Sequence, residues 1–216
     1  MVSSDITRRE CLFAVASTGI ITGLAGCVQS EPTANEEGVQ RRVSIAEQDS
    51  TPDSSDLEIE VSVTKETITN SETAYLEITT TNQGSARSVS VGADSCRLFE
   101  GPDGGSDDPL GLWLYNPNYT DSLDHKKSRW SVDRPASETR NFSLAGCSPT
   151  RYGSGDSVSN KYAVWDDYRE SGYLEPNTYR WEGEVSIWSS LATEPENDPT
   201  QSFNWGFSLL VESAIS

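Results

Sequence analysis

The sequence has few of the residues on which metal and acid–base catalysis most often depend. Among its 216 residues are a single histidine, His125, and a single methionine. A catalytic triad needs a histidine base that a carboxylate orients, and no Gly-x-Ser-x-Gly elbow is present. His125 lies in a polar stretch, where a surface histidine is the simpler interpretation, and one histidine gives little support for zinc chemistry. We therefore expect a chain that is not an enzyme, with no catalytic residues, no metal and no cofactor.

Lysine is also scarce, and positive charge is in clear deficit. Lys and Arg together number 16 against 34 Asp and Glu, so the formal net charge is −18. Neutralising nucleic-acid phosphates needs clustered cations, so we expect no nucleic-acid partner. Excess carboxylate repels itself in dilute salt, but the Debye length falls to about 3 Å at molar salt. The composition favours a protein adapted to a salty medium, with an ordinary acidic surface as the alternative.

The sequence has no long hydrophobic run of the kind that crosses a bilayer. Its apolar stretch, residues 11–26, is about 16 residues long, whereas a spanning helix needs roughly 20. A charged start, a short apolar middle and small residues before Cys27 predict a signal peptide over residues 1–27. Arg8 and Arg9 resemble the twin-arginine export motif. Leu24, Ala25, Gly26 and Cys27 resemble a lipobox, which implies a lipid on Cys27.

Two further segments follow the signal peptide. Residues 28–56 are rich in Ser, Glu, Asp, Pro and Thr and predict a disordered acidic linker. Val43 and Ile45 are candidates for a short edge strand within it. Residues 57–216 alternate polar and apolar positions in short runs separated by Gly, Pro, Asn and Asp. About seven to eight strands without an amphipathic helix predict an all-β, immunoglobulin-like antiparallel β-sandwich. The predicted strands lie around 57–63, 74–80, 89–91, 112–115, 142–144, 162–164, 179–187 and 203–211.

Three stretches carry a family resemblance: LEPNTYRWEGEVSIW (174–188), LEITTTNQG (76–84) and YAVWDD (162–167). The first looks like the penultimate hairpin of immunoglobulin-like sandwiches, with Asn177 where the family usually has glycine. Together the three resemble the BsuPI-type proteinase-inhibitor sandwich, over roughly residues 57–212. They are also similar to secreted lipoproteins of halophilic archaea that use this sandwich. The resemblance implies a non-catalytic domain at the cell surface and, as an alternative function, inhibition of a secreted proteinase.

Cys96 and Cys147 are the two cysteines that remain after the signal peptide and Cys27. An even pair in an exported chain predicts a disulfide, because the medium outside the cell is oxidising. A redox or metal-binding pair is the alternative, but no CxxC motif or neighbouring histidine supports it.

Acidic clusters are numerous in such a chain, so each is weak evidence for a site. Asp103, Asp107 and Asp108 could hold calcium, but their spacing does not match an EF-hand and a solvated loop is the better interpretation. Asp166 and Asp167 could serve glycoside chemistry. Adjacent strand residues face opposite ways, however, which favours a solvated strand end for the pair.

Aromatic residues supply the remaining candidates. Trp181 and Trp205 fall on the apolar side of their strands and are predicted to lie in the core. Trp113, Trp165 and Trp188 are out of phase with their apolar neighbours. They either pack under loops or on a second sheet, or form an exposed surface for a glycan or protein partner. Asn118 and Asn141 begin N-glycosylation sequons.

These observations predict a lipid-anchored protein on the outer face of the cytoplasmic membrane of a halophile, reached by twin-arginine export. Its partners are the membrane, through the lipid on Cys27, and an unknown protein or glycan. The predicted function is a non-enzymatic binding or structural module, and the alternative is a BsuPI-like proteinase inhibitor. A rigid protruding loop at 101–109 or 116–128 would favour the alternative.

Overall fold

A computed structural model describes residues 39–93, 96–121, 123, 129–142, 147–189, 191 and 198–214. Within these residues the chain forms ten strands, one helical turn α1 and two 3₁₀ turns. The strands are β1 (Val39–Gln48), β2 (Leu57–Lys65), β3 (Thr67–Thr69), β4 (Tyr75–Asn82), β5 (Arg87–Val89), β6 (Leu112–Tyr115), β7 (Thr150–Tyr152), β8 (Ser157–Asp166), β9 (Asn177–Trp188) and β10 (Gln201–Ser213). The turns are α1 (Pro117–Thr120) and the 3₁₀ segments Asp53–Ser55 and Gly101–Gly104.

The strands form two sheets in which every pair of neighbours is antiparallel. One sheet has the order β3-β1-β10-β9-β5-β7, and the other has the order β2-β4-β8-β6. The predicted all-β sandwich is confirmed, although the described residues contain ten strands rather than seven or eight. Three of the ten are only three residues long: β5 was predicted, around 89–91, whereas β3 and β7 were not, because so short a run shows no period-two pattern.

The core lies between the sheets and follows the alternation of the sequence. Along β2, Leu57, Ile59 and Val61 are buried while the residues between them are exposed. On the facing sheet, Trp181 and Trp205 are fully buried, as predicted, and the Trp181 ring stacks on Phe207 with centroids 5.2 Å apart. Such aromatic side chains bury large areas, which compensates for the low apolar content of the chain.

Tyr179 forms a tyrosine corner at the start of β9. Its hydroxyl donates a hydrogen bond of 2.7 Å to the backbone carbonyl of Glu175, four residues upstream, and its ring is buried. This arrangement is typical of immunoglobulin-like sandwiches, where it fixes the corner that leads into the penultimate strand.

The predicted boundary between linker and domain at residue 56 is wrong. β1 lies inside the segment 28–56 and pairs within the six-stranded sheet, so the folded domain already includes residues 39–48. β1 is not an edge strand, because it pairs with β10 on one side and with β3 on the other. Val43 is 2% exposed, whereas most of the other residues of β1 are accessible to solvent. The strand therefore depends on main-chain pairing with β10, a distant segment of the chain. Local composition cannot reveal that pairing.

A second, smaller apolar cluster covers the outer face of the four-stranded sheet. Trp165 packs there against Trp130 and Tyr115, with ring centroids 5.6 and 5.2 Å apart. Trp130 and Val132 come from the irregular segment between α1 and β7, which lies over β6 and β8. Phe142, predicted to lie in a strand, belongs to this irregular segment and is 37% exposed. No helix in the described ranges is long and apolar enough to span a membrane.

Candidate functional site

Arg140 is the centre of the most concentrated group of polar and aromatic contacts on the outer face of the four-stranded sheet. Its side chain is 8% exposed and forms an ion pair of 2.5 Å with Asp167, which is 10% exposed. The guanidinium Cζ lies 3.5 Å from the ring centroid of Trp113 and 4.5 Å from that of Tyr168. It also donates a hydrogen bond to the hydroxyl of Tyr115. A flat guanidinium suits this position because it can pair with a carboxylate and stack on rings at once.

Burial in this cluster changes the chemistry of its groups. It raises the pKa of the Tyr115 phenol, and the charge and hydrogen bond of Arg140 oppose that effect only in part. The Nε of Arg140 is buried and makes no hydrogen bond with the described residues. The cluster therefore holds one cation in place by a single carboxylate and by aromatic faces.

Trp113 forms the floor beside this arginine. Its ring stacks on Phe142, with centroids 6.1 Å apart and planes 8° apart. Gly105 passes directly across the indole: a Cβ there would lie 2.7 Å from the ring atom Cζ3. Glycine is thus required at position 105 for the 101–111 loop to lie on Trp113.

A cleft of about 390 Å³ opens above this floor, and we call it the Phe142 cleft. The described part of the chain has four exposed large hydrophobic residues, and two of them, Leu110 (61% exposed) and Phe142, line this cleft. Its polar side chains include Asp107, Arg169 and Glu170, beside the Arg140–Asp167 pair. Apolar side chains at the rim and a few converging polar groups are the usual composition of a binding site.

The loop before Leu110 is braced rather than free. The backbone N–H of Arg180 donates to the carbonyl of Asp108 (2.9 Å), and Asp107 Oδ2 accepts from the N–H of Glu182 (2.8 Å). The Ser106 hydroxyl donates to the carbonyl of Pro109 (2.7 Å). Residues 105–109 therefore lie against β9, and Leu110 projects from the end of a fixed segment.

A second cavity, of about 530 Å³, lies on the other side of Phe142, and we call it the thiol cavity. Its lining includes Cys96, Cys147, Arg97, Glu100, Glu184 and Phe142. Cys147 is exposed, and desolvation of its thiol, followed by a hydrogen bond with Cys96 and nearby negative charge, raises its pKa to about 12. The predicted disulfide is not present in the structure, because both cysteines are free thiols.

The predicted aromatic surface of Trp113, Trp165 and Trp188 does not exist as such. Trp113 and Trp165 are partners in register between β6 and β8 and are only 8% and 1% exposed. Trp188 lies at the end of β9 in the other sheet, where it pairs with Ser88 of β5. Trp113 and Trp165 are covered by the segment between α1 and β7, so packing under a loop was the correct alternative for these two.

Asp166 and Asp167 point in opposite directions, as expected for neighbours at the end of a strand. Asp167 pairs with Arg140, whereas Asp166 Oδ1 accepts a hydrogen bond of 2.8 Å from the N–H of Leu174. Burial raises the pKa of Asp166 to about 6, against the opposing hydrogen bonds from Leu174 and Ser131. The two carboxyls do not face each other across a cleft. The predicted solvated strand end is wrong, because both residues are buried (8% and 7% exposed) by their contacts with Leu174 and Arg140.

The remaining predicted positions are placed as follows. Asn118 in α1 and Asn141 beside Phe142 are both exposed, so glycosylation of either remains a prediction. Asp103 is exposed, and partial desolvation of its carboxyl with the nearby charge of Asp107 raises its pKa. No three side chains of metal-ligating type come together in the described ranges. Outside those ranges lie the predictions for the signal peptide and anchor, the first part of the linker and the one histidine: Arg8, Arg9, Leu24, Ala25, Gly26, Cys27, residues 28–38 and His125.

Arg140 and the Phe142 cleft were missed in the sequence. Arg140 stands in the polar stretch SETRNFS, where nothing distinguishes it from a solvated arginine. Its partners lie on β6 and in the two residues that follow β8, 25 to 28 positions away along the chain. Comparison of the chain with family models, with curated proteins and with solved structures returned no match.

Proposed function

We propose that this chain is a lipid-anchored cell-surface protein of a halophilic organism and that its β-sandwich is a non-enzymatic binding module. Its partners are the membrane, through a lipid on Cys27, and a protein or glycan that contacts the Phe142 cleft. The observation that carries the binding role is the position of Leu110 and Phe142, two exposed apolar side chains on the rim of one cleft. Single exposed hydrophobics are ordinary, but two around a cleft that also holds a buried ion pair indicate a contact site.

The location rests on the sequence. Arg8 and Arg9, the short apolar run and the Leu24–Cys27 stretch occur in the order and spacing of an exported lipoprotein. The net charge of −18 supports a salty medium. Mass spectrometry of the mature protein tests the anchor: we expect Cys27 to be the N-terminal residue and to carry a lipid. An unmodified N-terminus downstream of Cys27 contradicts the proposal.

A cross-linking pull-down from intact cells at native salinity tests the binding role. We expect the Leu110→Ser/Phe142→Ser variant to lose the partners that the unaltered protein captures, because it removes the apolar rim. Leu191→Ser is the matched control, since Leu191 is also exposed (46%) but does not line the cleft. Equal capture by all three proteins would contradict a role for the cleft.

Inhibition of a secreted proteinase is the second candidate. It draws support from Leu110, which is presented at the end of the braced segment 105–109, as an inhibitory loop must present its contact residue. The test is the rate of peptide hydrolysis by a secreted serine proteinase that is active at molar salt. Inhibition that Leu110→Gly removes would support this function, and the absence of inhibition by the intact protein would argue against it.

A further inference from the structure

Four exposed polar side chains line the Phe142 cleft: Asp107, Thr139, Arg169 and Glu170. Thr139, Arg169 and Glu170 make no side-chain hydrogen bond or ion pair with any residue that the structure describes. Asp107 commits only Oδ2, which accepts a hydrogen bond from a backbone N–H of β9. Most arginines in the described ranges pair with a carboxylate. An arginine and a glutamate that stay unengaged in one cleft are therefore available to a ligand.

The cleft is close to neutral in a chain whose formal net charge is −18. Its lining holds three carboxylates, on Asp107, Asp167 and Glu170, and two guanidinium groups, on Arg140 and Arg169. Hydrogen-bond donors and acceptors with little net charge suit a neutral ligand that both donates and accepts hydrogen bonds. In the salty medium of the proposed function, the Debye length of about 3 Å at molar salt also weakens attraction for a charged ligand.

An aromatic ring lies beside these polar groups. The Phe142 side chain is 37% exposed, and the plane of its ring is 8° from that of Trp113, on which it stacks. The stack therefore fixes the orientation of the exposed ring. The face of an aromatic ring is electron-rich, so the polarised C–H groups on one face of a pyranose pack well against it.

The size of the cleft favours a small ligand over a protein surface. Its volume of about 390 Å³ lies in the range of about 300 to 1,000 Å³ that is typical of small-molecule sites. A stable protein–protein interface buries about 800 Å² on each partner, around a centre of large anchoring side chains. Among the described residues, Leu110 and Phe142 are the only exposed large hydrophobics around this cleft.

We propose that the Phe142 cleft binds a neutral glycan, with one pyranose ring on Phe142 and its hydroxyl groups hydrogen-bonded to Arg169 and Glu170. Adjacent hydroxyls of a pyranose match planar carboxylate and guanidinium groups, which accept or donate two hydrogen bonds side by side. Asp107 and Thr139 supply further polar contacts, and Leu110 supplies an apolar one. The inference rests on the proposed function, because it states which class of partner the cleft takes.

Calorimetric titration of the full-length protein at molar potassium chloride tests this proposal. The probes are neutral di- to tetrasaccharides of glucose, galactose, mannose and N-acetylglucosamine, with oligogalacturonates of the same lengths as the acidic counterpart. We expect at least one neutral oligosaccharide to bind and the oligogalacturonates to bind more weakly. Absence of binding by the whole neutral panel would overturn the proposal, as would equal binding of the acidic sugars.

Substitutions locate the binding. Phe142→Leu keeps an apolar side chain but removes the ring, and Arg169→Ala removes a donor, so we expect each to weaken binding about tenfold. Phe142→Trp keeps an aromatic face and should retain binding, which separates loss of the ring from loss of the fold. Arg151→Ala is the matched control, because Arg151 is exposed on β7 and does not line the cleft. Binding that Phe142→Leu and Arg169→Ala leave unchanged would overturn the proposal.

The cross-linking pull-down separates failure of this inference from failure of the proposed function. A protein that Phe142→Leu still captures, but Leu110→Ser/Phe142→Ser does not, would support a binding module and overturn the glycan as the occupant of the cleft. Capture that Phe142→Leu abolishes and the bound oligosaccharide displaces would support the glycan. Displaced glycoprotein then identifies a protein-linked glycan as the source, whereas displaced polysaccharide alone identifies a free one.

Discussion

Removing the guanidinium of Arg140 should cost far more stability than its polar sequence context suggests. Arg140→Ala leaves the carboxylate of Asp167 at a position only 10% exposed, without the cation that faces it at 2.5 Å. It also removes the cation from the face of Trp113, 3.5 Å away. Both losses act on the same outer face of the four-stranded sheet.

The magnitude follows from these contacts. Stranding one partner of a buried ion pair costs about 3 to 5 kcal/mol. Asp167 retains a hydrogen bond of 3.0 Å from the N–H of Arg169 and borders an open cleft, which places the loss at the lower end of that range. We therefore expect the free energy of unfolding to fall by about 3 kcal/mol. For a domain of this size that corresponds to a decrease in Tm of roughly 6 to 12 °C.

Urea unfolding at fixed molar salt, followed by tryptophan fluorescence, measures this loss without changing the ionic strength. Arg134→Ala is the matched control, because Arg134 pairs with Glu138 at 3.4 Å in the same segment, but both side chains are more than 40% exposed. Exposed pairs contribute about 0 to 1 kcal/mol, so this variant should change stability by less than about 1 kcal/mol.

A double-mutant cycle separates the stranded charge from lost packing. Arg140→Ala/Asp167→Ala removes both charges, so we expect it to be less destabilised than the sum of the single variants by about 1 to 2 kcal/mol. Additive losses, or a loss below about 1 kcal/mol for Arg140→Ala, would refute the reasoning that a buried pair anchors this segment.

Three further predictions concern other parts of the fold. The pKa of Asp166 is raised to about 6, so the folded state binds its proton more tightly than the unfolded chain, whose carboxyl has a pKa near 3.8. Stability should therefore fall by about 2 kcal/mol as the pH rises from about 4 to 6, and Asp166→Asn should remove that contribution. Urea titrations of both proteins across this range check it, and identical profiles would contradict it. Tyr179→Phe removes the tyrosine-corner hydrogen bond and leaves the Glu175 carbonyl without that donor, so we expect a loss of about 1 kcal/mol and a lower urea midpoint. An unchanged midpoint would argue against the corner as a stabilising contact. Because the net charge is −18, Tm measured by circular dichroism should rise steadily from dilute to molar potassium chloride. An equal Tm in dilute buffer would count against adaptation to salt.

The alternation of polar and apolar residues was the most informative pattern in the sequence. It did not predict the full length of β1 or the short strands β3 and β7. β2, β4, β9 and β10 were predicted because their buried residues recur at every second position, a property of each segment alone. β1 has a polar, glutamine- and arginine-rich sequence and owes its place to hydrogen bonds with β10, whose paired residues lie 159 to 172 positions later. A local sequence pattern carries no information about which distant strand a segment will pair with.

The candidate site shows the same difference between what the sequence predicts and what tertiary contacts decide. The chain composition by itself determined an all-β domain with a strongly acidic surface, because strand periodicity and charge are sums over local residues. Tertiary structure alone decided that Trp113 and Trp165 are covered, that Arg140 is held by Asp167 and that Cys96 and Cys147 line one cavity. Each of these depends on which distant segment lies across a sheet or pairs with a strand. The physical reason is that burial and ion pairing are properties of two surfaces in contact, whereas a sequence pattern describes only one of them.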